Sequence, residues 1–261
     1  MSTLHIPPLA PEVIFHVGRF PVTNTMVNVW LAMGIFLGMG IILRRSLSLR
    51  PGKLQNFFEY ILESVLGYFD QVTGNRRQTI RFLPISGSIF FFILLSNWLG
   101  LLPGVGSITF NHELLLRSAN TDLNLTVAMA LTSVIVSHLF GFFTVGVFTH
   151  LNKFIQLGTI AKSFRQGPIA IFSAVIEFGV GIIEIAGEFA KVLSLSLRLF
   201  GNIFAGEVLL TVMASLFSFL LPTPFMLLEL LVGLIQAAVF AILSLVYMTV
   251  MSSAPHGAEE H

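Results

Sequence analysis

Arg198 is the residue whose type and setting most demand chemistry. It sits in the run 194–207, S-L-S-L-R-L-F-G-N-I-F-A-G-E, inside a segment that stays apolar for many residues on both sides. A guanidinium stays charged at any accessible pH. Placing one at bilayer depth costs about 2.5–3.5 kcal/mol on insertion scales. The cation must therefore face water or a partner carboxylate. Upstream on a 3.6-residue helix, Lys191, Glu188, Glu184 and Glu177 fall within about 80° of Arg198, and Asn202 extends the stripe by one turn. Glu207 falls on the opposite face of the same helix. A second apolar segment downstream carries Glu229 and Gln236. If the two segments pair antiparallel, Arg198 lies level with Gln236 and Glu207 level with Glu229. Two adjacent carboxylates in a low dielectric do not both ionise, so one of them holds and exchanges a proton. That is relay chemistry more than structural chemistry.

The elements that position these groups belong to a polytopic membrane protein. The chain has 261 residues, of which 55% are hydrophobic and only 10% charged, and its mean hydropathy is +0.88. Those values exclude an ordinary soluble domain. A net charge of +1 argues against nucleic acid as a partner. With no cysteine there is no disulfide, thiolate zinc site or cysteine nucleophile. There is no Walker loop, dinucleotide fingerprint or HExxH, so no nucleotide or other cofactor is expected. No basic n-region opens the chain, and Pro7, Pro8 and Pro11 break any early helix, so no cleavable signal is expected. A bacterial or organelle-encoded chain fits this start.

The predicted architecture is all-α, in one membrane domain. Residues 1–21 form an outer N-terminal segment and 22–43 the first spanning helix. Residues 53–72 place Leu54, Phe57, Phe58, Ile61, Leu62, Val65, Leu66 and Phe69 at helical spacing, with Glu59, Glu63 and Asp70 off that face. This predicts an amphipathic helix on the inner membrane surface. Residues 83–148 form a spanning hairpin, with arms at 83–102 and 122–148 and a polar connection that carries His112, Glu113 and Arg117. Trp98 suits an interface belt, and Asn120, Thr121 and Asp122 offer helix-capping oxygens. Residues 169–252 form a channel hairpin that turns at 221–224. Its first arm, about 50 residues, would be about 75 Å long against a bilayer core of about 30 Å. A strongly tilted antiparallel hairpin accounts for this, and two short spans joined near residue 190 is the alternative. Lysines and arginines concentrate between the first and second spans and between the third span and the long helix. That bias places the N-terminus outside and the C-terminus inside.

The run at 194–207, with Glu229 and Gln236 downstream, resembles subunit a of the F-type ATP synthase, the stator half of its proton channel. N-W-L-G-L-L-P-G at 97–104 and D-L-N-L-T-V-A-M-A-L at 122–131 are similar to the same family, and the resemblance covers most of the chain from about residue 55. One departure is Val192, where the family often has proline. The resemblance implies that Arg198 faces a ring of c subunits and that Asn202 lines the same face. It implies that Glu207, Glu229 and Gln236 belong to a half-channel open to the outside. Glu184 and Ser194 match positions of an inner half-channel, and Asp122 and Asn124 an outer entrance. The implied partners are the c-subunit ring, b-type peripheral stalk subunits, the other ATP synthase subunits and the lipid bilayer, with ATP chemistry held by other chains.

Blander readings compete. Arg198 could be structural, paired with Glu184 or Glu188. Lys191 reads as structural and Glu177 as solvated near a helix end. Gln236 alone would be helix–helix glue. His138 reads as a packed, hydrogen-bonded histidine, and His112, His150, His256 and His261 as surface residues. Two other function classes stand beside the channel subunit. One is a proton-coupled secondary transporter, which predicts an internal repeat that is not visible. The other is a membrane scaffold, which leaves the glutamates, lysine and arginine of the hairpin unexplained.

Overall fold

A computed structural model describes residues 7–48, 50–102, 108–110, 113–150, 168–216 and 222–253, apart from the side chains of 46, 113, 168–171, 173–175 and 177. The chain is an all-α integral membrane protein. Among the described residues, five helices are long and apolar enough to cross a membrane.

The N-terminal segment holds a small antiparallel hairpin, β1 (Val13–Val17) and β2 (Phe20–Thr23). Gly18 turns it at φ +64°, a conformation open to glycine and strained for most other residues. The hairpin feeds directly into α1 (Asn24–Ser46), whose N-cap Thr23 accepts from the Met26 amide. The amphipathic segment is α2 (Lys53–Thr73), closed by Gly74 at φ +66°. The expected apolar face is divided. Phe69 is buried, and Val65 packs beside it in the core. Leu54 and Phe57 stay exposed.

Helix α3 (Arg76–Leu101) begins seven residues earlier than the apolar run. Asn75 caps it by accepting from the Arg77 amide. Three arginines in its first turns masked the start, because hydropathy registers the lipid-facing part of a helix and not its polar end. Short strands β3 (Thr109–Phe110) and β4 (Glu113–Leu114) and a 3₁₀ turn (Ala119–Thr121) lead into α4 (Leu123–Val145). Asp122 caps α4 by accepting from the Asn124 amide at 2.9 Å.

Helix α5 (Pro168–Leu216) runs for 49 residues without interruption, through Val192. Helix α6 (Pro222–Ser252) starts on Pro222. Sequence placed Pro222 in a turn, but proline serves well in the first helical turn, where no amide donor is needed. Helices α3, α4, α5 and α6 share a core around Phe82, Ile93, Ala130, Leu195, Leu199, Phe240 and Leu245. Small polar residues join the helices where they meet, as in the 2.6 Å bond between Ser133 and Ser244.

Candidate functional site

Leu195, Ser196 and Leu199 turn one face of α5 into the core. The opposite face carries Ile183, Phe189, Leu193 and Leu197, all exposed. Arg198 stands on that outward face. Its nearest bonded partner is the Ser194 hydroxyl, which accepts from Nη2 at 3.4 Å. Among the described residues Arg198 makes no ion pair: Glu188 is held by Lys191 instead, whose Nζ lies 2.6 Å from its carboxylate. The structural alternative for Arg198, a pairing with Glu184 or Glu188, is not what the helix forms. Glu184 is half-buried on α5. The side chain of Glu177 lies outside the described residues.

The register of α5 against α6 is close to expectation at Glu229, which meets Gly206 beside the expected Glu207, but the partner of Gln236 lies one turn along. Asn202, not Arg198, meets Gln236: Asn202 Nδ2 donates to Gln236 Oε1 at 2.8 Å. One turn outward, Glu229 lies over Gly206. A Cβ on Gly206 would come within 2.1 Å of the Glu229 carboxylate. Glycine is thus required for the close approach of that acid to the α5 backbone. Glu229 and Gln236 are both buried, at 7% and 4% exposure.

The expected Glu207–Glu229 pair is also replaced. The Glu207 carboxylate accepts one bifurcated bond from Arg117 Nε–H, with its two oxygens at 3.0 and 3.1 Å. Arg117 is 4% exposed, lies over the Phe204 ring at 5.9 Å, and reaches the Ala10 carbonyl through Nη1. Its Nη2 is buried with no hydrogen-bond partner among the described residues. A half-buried acid beside a buried guanidinium is satisfied without a second carboxylate.

A buried polar lattice fixes this region. Asn28 Nδ2 donates to the Arg117 carbonyl at 2.7 Å. Thr25 Oγ1 donates to Asp122 Oδ2 at 3.1 Å, so α1 is tied to the start of α4. Asn120 Nδ2 donates to Asn97 Oδ1 at 2.7 Å, and Asn97 Nδ2 to the Gly233 carbonyl at 3.2 Å. Trp98 Nε1 donates to the Leu230 carbonyl at 3.2 Å. Asp122 is engaged in capping, while Asn124 beside it is exposed. The sequence signal for this lattice was the density of Asn, Thr and Asp at three helix ends.

Toward the opposite ends of α4, α5 and α6 lies a second cluster. His138 Nε2 is 3.4 Å from Glu188 Oε2, and its Nδ1 is 3.1 Å from His150 Nε2. Lys191 lies over the Tyr247 ring at 5.0 Å. His150 is 3% exposed, which corrects its reading as a surface residue. A histidine near a helix end reads as solvated, but here Gly141 leaves room for its ring against α4. His112, His256 and His261 lie outside the described residues.

Comparison with known proteins completes the picture. The family described as ATP synthase A chain matches residues 26–249. A Moorella thermoacetica protein named ATP synthase subunit a is 34% identical over 238 residues, covering 91% of this chain and 94% of that protein. A Syntrophobacter fumaroxidans protein of the same name is 35% identical over 259 residues, covering 99% and 92%. One from Gloeobacter violaceus, also so named, is 34% identical over 227 residues, covering 86% and 82%. The chain belongs to the ATP synthase A chain family.

Proposed function

We propose that this chain is the proton-conducting subunit a of an F-type ATP synthase membrane sector, set in a bacterial inner membrane with the N-terminus outside and the C-terminus inside. It forms two offset half-channels against a ring of c subunits and couples proton flow to rotation of that ring. The b-type stalk and the other subunits hold it in place, and ATP chemistry resides elsewhere in the complex.

One observation carries this reading: a permanent cation stands mid-helix on an exposed apolar face, with no ion pair among the described residues. Arg198 is thus left to meet an acid from another polypeptide. A ring carboxylate crossing lipid must be neutral, because a bare charge there is expensive. Beside Arg198 its ionised form is favoured, so the proton leaves to one half-channel and another is taken from the second. Arg198 also blocks direct passage between the half-channels. Asn202 and Gln236 form the layer one turn outward, and Glu229 and Glu207 line the outer route, with Asp122 and Asn124 near its mouth. Glu184 and Ser194 line the inner route. Each unit charge moved through 100 mV supplies about 2.3 kcal/mol.

The test is Arg198→Ala in the native complex. ATP-driven proton pumping is lost while the complex assembles and hydrolyses ATP. Pumping at the parent rate would sink the proposal.

A further inference from the structure

The two acids of the outer end stand at one level of the α5–α6 pair, yet they are held in opposite ways. Glu207 meets a cation that cannot leave. Arg117 is 4% exposed and clasped from three segments. Its Nε–H is shared by the two Glu207 oxygens at 3.0 and 3.1 Å, its Nη1 donates to the Ala10 carbonyl at 3.4 Å, and its own carbonyl accepts from Asn28 of α1 at 2.7 Å. The Phe204 ring lies 5.9 Å from the guanidinium. The N-terminal segment is pinned there in turn. The Asn24 amide donates to the Glu12 carbonyl at 3.1 Å, and Asn24 Nδ2 to the Glu12 carboxylate at 3.3 Å. A guanidinium so enclosed stays charged and needs a counter-charge. Protonating Glu207 would strip Arg117 of the carboxylate it touches. Glu229 is the contrary case. It is 7% exposed and seated in the space that Gly206 leaves. Its carboxylate makes no ion pair or hydrogen bond among the described residues. A buried carboxyl with no cation beside it is one that can take up a proton and pass it on.

We propose that Arg117 is a positioning residue that fixes Glu207 as a standing negative charge, so that Glu229 alone carries the proton through the outer half-channel; this rests on the channel reading above. The transfer balances on one group. In the pumping direction a proton from the ring acid bonds to a Glu229 oxygen and makes a neutral carboxyl. The same proton then leaves to outer water and restores the carboxylate. In the direction of synthesis the two steps run backwards. Glu207 stays ionised throughout, and its charge with that of Arg117 sums to zero. The charged groups facing Glu207 are Arg117, from the connection before α4, and Glu12, from the N-terminal segment. Around Glu229, α5 presents Gly206, with Glu207 the next residue along. Helix α3 presents Asn97 and Trp98 to this part of α6, and their side-chain N–H groups are taken by the Gly233 and Leu230 carbonyls.

The test uses inside-out vesicles carrying the complete complex, whose lumen is the outer face, with ATP-driven pumping followed at a series of lumenal pH values. Arg117→Gln and Glu207→Gln are each expected to lose pumping, because one strips the fixed charge of its cation and the other the cation of its charge. The two changes made together recover at least about fivefold over either alone, within the coupling that contacting residues show in double-mutant cycles. Because the pair carries no net charge, the double variant also keeps the parent's dependence on lumenal pH. Arg117→Lys, which retains the cation, loses less than Arg117→Gln, and Glu229→Gln abolishes pumping. A double variant no better than Glu207→Gln, or one with a flattened or displaced pH dependence, makes Glu207 a carrier and overturns the proposal. So does pumping by Glu229→Gln, or an equal loss in Arg117→Lys and Arg117→Gln. Failure of the double variant to assemble, read by ATPase bound to the membrane, overturns it as well. Arg198→Ala separates this proposal from the broader one: if it still pumps, the channel reading falls, and if it is dead while the double variant does not recover, only the role of Arg117 falls.

Discussion

At the scale of single residues, the site is governed by which charges find partners inside the chain. Glu188 and Glu207 both do, through Lys191 and Arg117. Arg198 does not, among the described residues, and the proposed function rests on that difference. Glu229 is an intermediate case. It is buried, and its carboxylate occupies the space left by Gly206. Gly206→Ala is therefore expected to push that carboxylate out of line and lower ATP-driven pumping by at least about tenfold, since misplacement of about 1 Å can cost far more than that. Vesicle pumping assays on assembled complex check this. Outside the spans, Asp70 near the end of α2 titrates below the usual carboxylate range. The Thr79 hydroxyl is the main cause, aided by Arg76, whose Nη1 is 2.5 Å away. A lowered folded value means a contribution fully present above the unfolded value of about 3.9 and lost as pH falls through the folded one. The α2–α3 corner is expected to be pH-independent near neutrality and to loosen only in strong acid. Asp70→Asn should abolish that acid sensitivity, as read from amide exchange at Gly74–Arg77 in lipid nanodiscs.

At the scale of elements, buried amides do what apolar packing cannot do in lipid. With apolar surface on all sides, helices gain little from hiding leucines, and specific bonds set their register. Asn97 is the clearest instance, because it joins α3, α6 and the 3₁₀ turn in one network. Asn97→Ala would leave the Asn120 amide and the Gly233 carbonyl without their partners. A loss of about 1–3 kcal/mol is expected for such an orphaned buried group. It would appear as earlier unfolding when the detergent-solubilised membrane sector is titrated with SDS. The divided face of α2 follows similar logic. Phe69 and Val65 anchor it to the bundle, which leaves Leu54 and Phe57 for the membrane interface.

At the scale of the whole molecule, topology decides which water each cluster meets. The proposed orientation places Arg117, Glu207 and Glu229 toward the outside and His138, His150 and Glu188 toward the inside. The chain has no cysteine, so single introduced thiols report their side directly. Thr109→Cys is expected to react with an impermeant maleimide in intact cells. Arg50→Cys should react only in inside-out vesicles. The reverse pattern would invert the placement of both clusters.

The sequence by itself determined the membrane class, the all-α fold and the approximate spans, because these follow from local hydropathy and period. It also singled out Arg198, Asn202, Gln236 and Glu229, because polar residues in apolar helices are conspicuous wherever they point. Tertiary structure alone decided the partners. Arg117 was placed only in a polar connection, and His150 looked like a surface residue, because nothing local reports what a distant helix will bring against them. The partner of Gln236, Asn202 and not Arg198 one turn away, was missed for the same reason. Gly206 admits Glu229 against α5, and Asn97 ties α3 to Gly233 of α6 across 136 residues of chain, contacts that no periodicity in a single helix can register.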